Sequence, residues 1–175
     1  MDNYCIRKEG EKLIFFTADQ HFFHDEVIRY CHRPWNKVGQ MNHGIICRYK
    51  KIIQPDDTVY FVGDLTLKGP ENNGSLVPIM KQLPGTKILI LGNHDKLSPF
   101  TYIDLGFQSV HTSLQVEEFI LCHDPASAII KPDVTWICGH THTLFKKIRN
   151  VINVGVDQWE YFPVSIEEVR MEVSR

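Results

Sequence analysis

The sequence predicts an α/β fold. Two observations carry that reading: short, near-continuously apolar runs recur along the chain, and segments with helical spacing lie between them. A length of 175 residues with 43% hydrophobic and 23% charged residues suits one domain with a substantial core, expected to span residues 1–175.

The apolar runs expected to be strands are Leu13–Ala18, Thr58–Val62, Lys87–Leu91, Phe119–Cys122, Thr135–Cys138 and Val151–Val154. They do not alternate polar with apolar, which points to sheets covered on both faces or stacked on one another. The clearest helical segment lies between the first two runs. Met41, Ile45, Ile46, Tyr49, Ile52 and Ile53 share one helix face, and "QPDD" at residues 54–57 stops it. Shorter helices are expected near Asp25–Tyr30, Ser75–Leu83 and Pro99–Leu105, with Pro78 tolerable only in a first turn. Ser165 and Glu168 have capping-box spacing.

The bulk chemistry excludes several classes. A formal net charge of −2 and a pI near 6.5 argue against a general nucleic-acid binder. Five Cys, an odd number with no C-x-x-C pair, make neither a disulfide framework nor a zinc ribbon. Cys122 and Cys138 sit in apolar runs and read as small buried hydrophobes. The first residues hold no continuous apolar segment of signal-peptide length, and no run reaches transmembrane length, so a soluble, cytoplasmic protein with no membrane partner is expected.

The residues just past each strand are the informative ones. "LIFFTA" leads into Asp19-Gln20-His21, "TVYFV" into Gly63-Asp64, and "KILIL" into Gly92-Asn93-His94-Asp95. "EFILC" leads into His123-Asp124, and "VTWIC" into Gly139-His140-Thr141-His142. Gly-Asn after a strand is also ordinary turn chemistry, and a lone Asp-x-His is common. Five strands that all deliver such groups at their C-terminal ends are a different matter, because ligands of α/β sheets bind at that edge. Asp, His and Asn offer oxygen and nitrogen but no sulfur, a donor set for Mn²⁺, Fe, Zn²⁺, Ni²⁺ or Mg²⁺. Residues two apart on extended backbone face one side, so Asp19 with His21, and His140 with His142, can each converge on one region. The seven ligand-type groups exceed one tetrahedral ion and suffice for two if a carboxylate bridges.

In this order the motifs D-x-H, G-D, G-N-H-D, H and G-H-x-H resemble the calcineurin-like metallophosphoesterase superfamily. The match runs from Asp19 to His142, and "TADQHFFH" and "NVGVDQWEYFPVS" resemble its small bacterial and phage branch. The resemblance implies a four-layer αββα sandwich of two mixed sheets holding two divalent metal ions, with Mn²⁺ the first choice. It implies that Asp19, His21, Asp64 and His142 hold one ion, and that Asp64, Asn93, His123 and His140 hold the other. His94 would contact the phosphate or protonate the leaving oxygen, with Asp95 orienting its ring. The implied activity is hydrolysis of small phosphodiesters, nucleotide-type esters among them, by a hydroxide shared between cations about 3.5–4 Å apart. A phosphomonoesterase, a non-catalytic scaffold on this fold and a repair nuclease are the competing classes. Retention of every ligand position favours an enzyme, and the nucleases of the family usually carry further domains.

One departure narrows the substrate. The protein-phosphatase branch has a further Asp and Arg after its G-D, whereas this chain reads "GDLTLKG" with Thr66 and Leu67. Phosphoproteins are therefore disfavoured and a small phosphate ester is the expected partner. Residues 27–54 carry six basic side chains and no acidic one. They form either a solvated helix face or, around Arg33 in "HRPW", a guide for an anionic substrate. His24 either reaches the rim of the site or merely opens a helix. His32, His43 and His111 have no motif partners. Asn153 and Asp157 either orient ligand histidines or shape the turn around Gly155.

Overall fold

The computed structural model describes residues 7, 8, 10–67, 73–128 and 134–175; Cys5 lies outside the described residues. In chain order the elements are β1 (Ile14–Thr17), α1 (Glu26–Tyr30), α2 (Val38–Ile52), β2 (Thr58–Val62), α3 (Asn73–Met80), β3 (Thr86–Ile90), α4 (Pro99–Asp104) and β4 (Phe107–His111). Then come β5 (Ser113–Val116), β6 (Phe119–Cys122), β7 (Thr135–Cys138), β8 (Lys147–Ile148), β9 (Val151–Asn153), β10 (Val164–Ser165) and α5 (Ile166–Val173). They build an α/β sandwich of two mixed five-stranded sheets, as the sequence predicts.

The first sheet has the order β10-β1-β2-β3-β4, parallel except for β10. The second has the order β5-β6-β7-β9-β8, with a parallel centre and antiparallel edges. Alternation along the strands explains their continuous apolarity. Phe15, Val59, Phe61 and Leu89 face the helices and pack with Met41, Ile45, Tyr49, Leu76 and Tyr102. Their neighbours Phe16, Ala18, Val62 and Ile90 face the other way and meet Phe119, Leu121, Ile137 and Ile152 of the second sheet. Cys122, Trp136, Cys138 and Val151 cover that sheet's outer face. Cys122 and Cys138 are buried in apolar packing, as expected, with their sulfurs 3.5 Å apart.

Helix α2 has no side-chain N-cap and buries Met41, Ile45, Ile46 and Tyr49. A cap contributes about 1 kcal/mol, whereas each buried apolar side chain contributes about 1.5–3 kcal/mol, so packing decides this helix. Helix α5 has the predicted capping box: Glu168 N–H donates to Ser165 Oγ, and Ser165 N–H donates to the Glu168 carboxylate. Pro78 lies inside α3 rather than in its first turn. Strands β4, β5, β8 and β10 have no counterpart among the expected runs; β8 and β10 are two residues each, and polar residues interrupt β4 and β5. Among the described residues no helix is long and apolar enough to cross a membrane.

The turn into β2 hangs on Asp57. Its buried carboxylate accepts from Gln54 N–H at 2.7 Å, from Leu13 N–H at 3.0 Å and from both arms of the Arg7 guanidinium at 2.8 and 2.7 Å. Burial pushes this carboxyl up, but Arg7 and the two amides outweigh it and hold it below its ordinary value. A depressed folded pKa gives stability above the unfolded value of about 3.9 and loses it as pH falls through the folded one. Asp57→Ala is therefore expected to cost about 2–4 kcal/mol at pH 7. Urea unfolding should show that gap narrowing as pH falls below the unfolded value of about 3.9 and through the depressed folded one, where the wild-type carboxylate takes up its proton.

Candidate metal centre

The ends of β1, β2, β3, β6 and β7 meet along one seam between the sheets. Backbone bonds carry the pairing past the strands themselves. Asp19 N–H donates to Gly63 O at 3.0 Å, His21 N–H to Asp64 O at 3.1 Å, and Gly139 N–H to His123 O at 3.0 Å. A single parallel bridge, Ala18 to Gly155, joins the first sheet to the loop after β9. Gly63 has φ +87°, and a Cβ there would collide with His123 Nδ1; a Cβ at Gly92 would collide with Asp64 Oδ1. Close approach of loop to loop, not mere turning, requires both glycines.

All seven expected ligand residues arrive at this seam. Asp64 is central. Its Oδ2 lies 3.3 Å from His123 Nε2 and 3.6 Å from His21 Nε2, and its Oδ1 accepts from His94 N–H at 2.9 Å. Asn93 Oδ1 lies 3.1 Å from His123 Nε2 and 2.9 Å from His140 Nδ1. The Asp19 carboxylate accepts from His140 N–H at 3.0 Å, and the His21 and His142 rings are 5.0 Å apart. The donor atoms fall into two compact groups, Asp19 with His21 and His142, and Asp64 with His123 and His140. Asp19, His21, Asp64 and His123 form a buried wall, whereas Asn93 and His140 face solvent.

Three features fit this set to divalent cations. The donors are carboxylate, amide oxygen and imidazole, suited to such ions. Both ring nitrogens of buried His21 lack a hydrogen-bond partner, a costly state unless something else satisfies them. Burial also pushes the His21 imidazole down to about 3, which keeps it neutral with its lone pair available, and pushes the Asp19 carboxyl up to about 6. Backbone strain marks the same place. Asp19, His21, Asp64, His140 and His142 have φ of 59°, 50°, 56°, 71° and 47°. Left-handed backbone at non-glycine residues costs of order 1–3 kcal/mol each and gathers at functional sites.

The remaining expected site residues divide. His94 stands at the open side, its side chain 39% exposed and its Nε2 3.9 Å from Asp64 Oδ2. His24 lies at the rim, 5.5 Å from the His21 ring, and α1 begins after it with Asp25 as N-cap. Asp95 does not orient the His94 ring. Its carboxylate accepts from the amides of Gly92, Asp64 and Leu65, at 2.8, 2.8 and 3.1 Å, and so ties the β2 and β3 loops together. Arg33 is not an exposed guide for substrate either. Its side chain is fully buried and forms a two-pronged pair with Asp157 at 2.8 Å on each arm. It also donates to Asp19 O at 2.7 Å and to Gln20 O at 2.9 Å, because those carbonyls face inward at a strained turn and need a donor there.

Two residues that the sequence leaves open take on definite parts. Asp157 Oδ2 lies 2.9 Å from His142 Nδ1 and fixes that ring. Against burial, this carboxylate raises the His142 imidazole to about 10. Asn153 donates to Thr141 Oγ1, His142 O and Phe145 O, each at 3.0 Å, and so braces the loop that carries His140 and His142. The partners Arg33 and Asp157 are 124 residues apart. No local pattern could have paired them; the one sequence signal was a basic residue beside a rigid proline.

No family model matches the chain. An uncharacterized protein of Methanocaldococcus jannaschii is 32% identical over 164 residues, covering 88% of this chain and 87% of that protein. The gene 66 protein of Mycobacterium phage L5 is 23% identical over 180 residues, covering 83% and 86%. Among solved structures, a protein of unknown function from Aquifex aeolicus superposes with a TM-score of 0.71 at 25% identity, covering 93% of this chain and all of that one. Nuclease MPE from Pseudomonas putida superposes with a TM-score of 0.53 at 17% identity, covering 81% and 74%. The nuclease shares the fold.

Removing Arg33 leaves Asp157 charged, buried and half-partnered. Arg33→Ala is expected to cost about 3–5 kcal/mol in urea unfolding. A loss under about 1 kcal/mol would show that Arg33 is not the strut beneath Asp19.

Proposed function

We propose that this chain, which belongs to the same family as the uncharacterized M. jannaschii protein, is a metal-dependent phosphohydrolase that cleaves small phosphodiesters. One observation carries the reading: two groups of Asp and His donors meet around Asp64 at the strand ends, with the His21 nitrogens unsatisfied. The nuclease with this fold is consistent with hydrolysis of phosphate esters.

In this reading Asp19, His21, Asp64 and His142 hold one divalent cation. Asp64, Asn93, His123 and His140 hold a second, with Asp64 shared. Mn²⁺ is the first choice, and Fe, Zn²⁺, Ni²⁺ and Mg²⁺ suit the same donors. When bound, the cations supply Lewis-acid activation of water and neutralise charge on the phosphoryl oxygens.

The chain's own groups do the rest. Asp157 holds the His142 ring at 2.9 Å, so its other nitrogen is aimed rather than free to swing. Val62 O, 2.8 Å from His123 Nδ1, fixes that ring and leaves Nε2 toward Asp64. His94 combines solvent access with a tether to the centre, through its backbone N–H to Asp64. It donates a proton to the departing oxygen, which raises the rate of ester cleavage by about 10²–10⁴. The site suits a small ester. Thr66, where the protein-phosphatase branch would place its extra charged groups, is buried and donates its hydroxyl to Phe22 O at 2.8 Å.

The test uses protein stripped with chelator and re-supplied with Mn²⁺, given an aryl phosphodiester and the matching monoester. Diester turnover is expected only with metal. In His94→Ala it should fall by about 10²–10⁴ while metal content is unchanged. Cleavage of the monoester alone would replace the diesterase with a monoesterase, and absence of bound metal would overturn the reading.

A further inference from the structure

The metal centre accounts for the imidazoles at the seam but not for the aromatic rim beside them. Tyr30 closes α1 with its side chain in solvent, 68% exposed. Its ring stands edge-on to His24, with centroids 6.3 Å apart and planes at 75°. His24 in turn lies 5.5 Å from His21. A row of rings, His21, His24 and Tyr30, therefore runs from the buried wall of the centre to the surface.

An exposed aromatic ring alone is ordinary on a protein surface. This one is set at a fixed angle against a second ring, two ring-to-ring steps from the candidate metal donors. The surrounding charge narrows what it could hold. Asp25 and Glu26 are exposed beside it, and Glu26 Oε2 lies 3.5 Å from His24 Nε2. Exposed Arg29, next to Tyr30 in the same helix, offsets these two acidic groups, so the rim carries no strong net charge and admits a flat, uncharged ring.

We propose that Tyr30, backed by His24, is a stacking shelf for the nucleobase of the substrate, which makes the substrate class a nucleotidyl ester. The proposal rests on the phosphohydrolase reading above. Every base has a π-face, so the shelf selects for a base without selecting strongly among bases. Stacking of this kind changes affinity by about 5- to 150-fold.

The test compares two diesters with one leaving group, thymidine 5′-(p-nitrophenyl phosphate) and methyl p-nitrophenyl phosphate, on the Mn²⁺-loaded chain. The wild type should favour the nucleotidyl ester in kcat/KM. Tyr30→Ala should lower that ester at least about 5-fold and leave the methyl ester within about twofold, whereas Tyr30→Phe should keep the preference. Equal loss on both esters, or no loss on either, would overturn the shelf. Calorimetry supplies a readout that needs no turnover, with the phosphonate analogues of AMP and of ribose 5-phosphate as ligands. The wild type should bind the former at least about 5-fold more tightly, and Tyr30→Ala should erase the difference. If neither ester is cleaved, the phosphohydrolase reading fails while this comparison still decides the shelf; equal binding of the two phosphonates overturns the shelf even in an active enzyme.

Discussion

Everything at the seam depends on holding strained, polar loops at close quarters. Five of the candidate ligands sit on left-handed backbone, at a cost of order 1–3 kcal/mol each. They are held by side chains that spend their hydrogen bonds on backbone. The Asp95 carboxylate gathers three amides, Asn153 ties three acceptors of the 141–145 loop and takes Gly155 N–H on its oxygen, and Arg33 clamps Asp157 with the carbonyls of Asp19 and Gln20. Hydrogen bonds to charged groups contribute about 1.5–3 kcal/mol each, enough to offset the strain. The strain and the clamps are two halves of one construction, and removing either exposes the other.

This division explains what was legible in the sequence. The five strand-end motifs could be read because each is local: a buried run stops and a donor comes within a few residues. Asp19, His21, Asp64, Asn93, His123, His140 and His142 were brought together because parallel strands deliver their C-terminal ends to one edge. The parts played by Arg33 and Asp95 are not legible in this way, because their partners are backbone atoms or distant residues. A basic residue on a proline-anchored loop looks the same in sequence whether it meets substrate or a carboxylate 124 positions away. The family resemblance implies that Asp95 orients the His94 ring, yet the backbone geometry turns its carboxylate toward three amides instead. The two-residue strands β8 and β10 carry too few side chains to leave a pattern.

Electrostatics separates the wall from the rim. Burial drives His21 neutral and holds the Asp19 carboxyl above its ordinary value. The same burial opposes protonation of His123, yet Asp64 and Asp19 overcome it and lift that imidazole to about 9. Buried carboxylates that lift a neighbouring imidazole in this way make a site that favours positive charge, which a divalent ion would supply in concentrated form.

His94 belongs to neither the wall nor the clamps. Its neighbour Asn93 carries the ligand-type oxygen, and its neighbour Asp95 is locked into the loop, so His94 is fixed from both sides along the chain while its ring stays open to solvent. Its backbone N–H bonds to Asp64 Oδ1, the carboxylate between the two donor groups. In the proposed reaction, a side chain anchored at its own amide to the centre of charge, yet exposed at its tip, would accompany the leaving group outward. The wall residues cannot do this, because any motion of theirs would break the donor geometry. The freedom of this one imidazole is thus a consequence of rigidity everywhere around it, and the G-N-H-D motif packs the ligand-type amide, the proposed acid and the loop clamp into three consecutive positions.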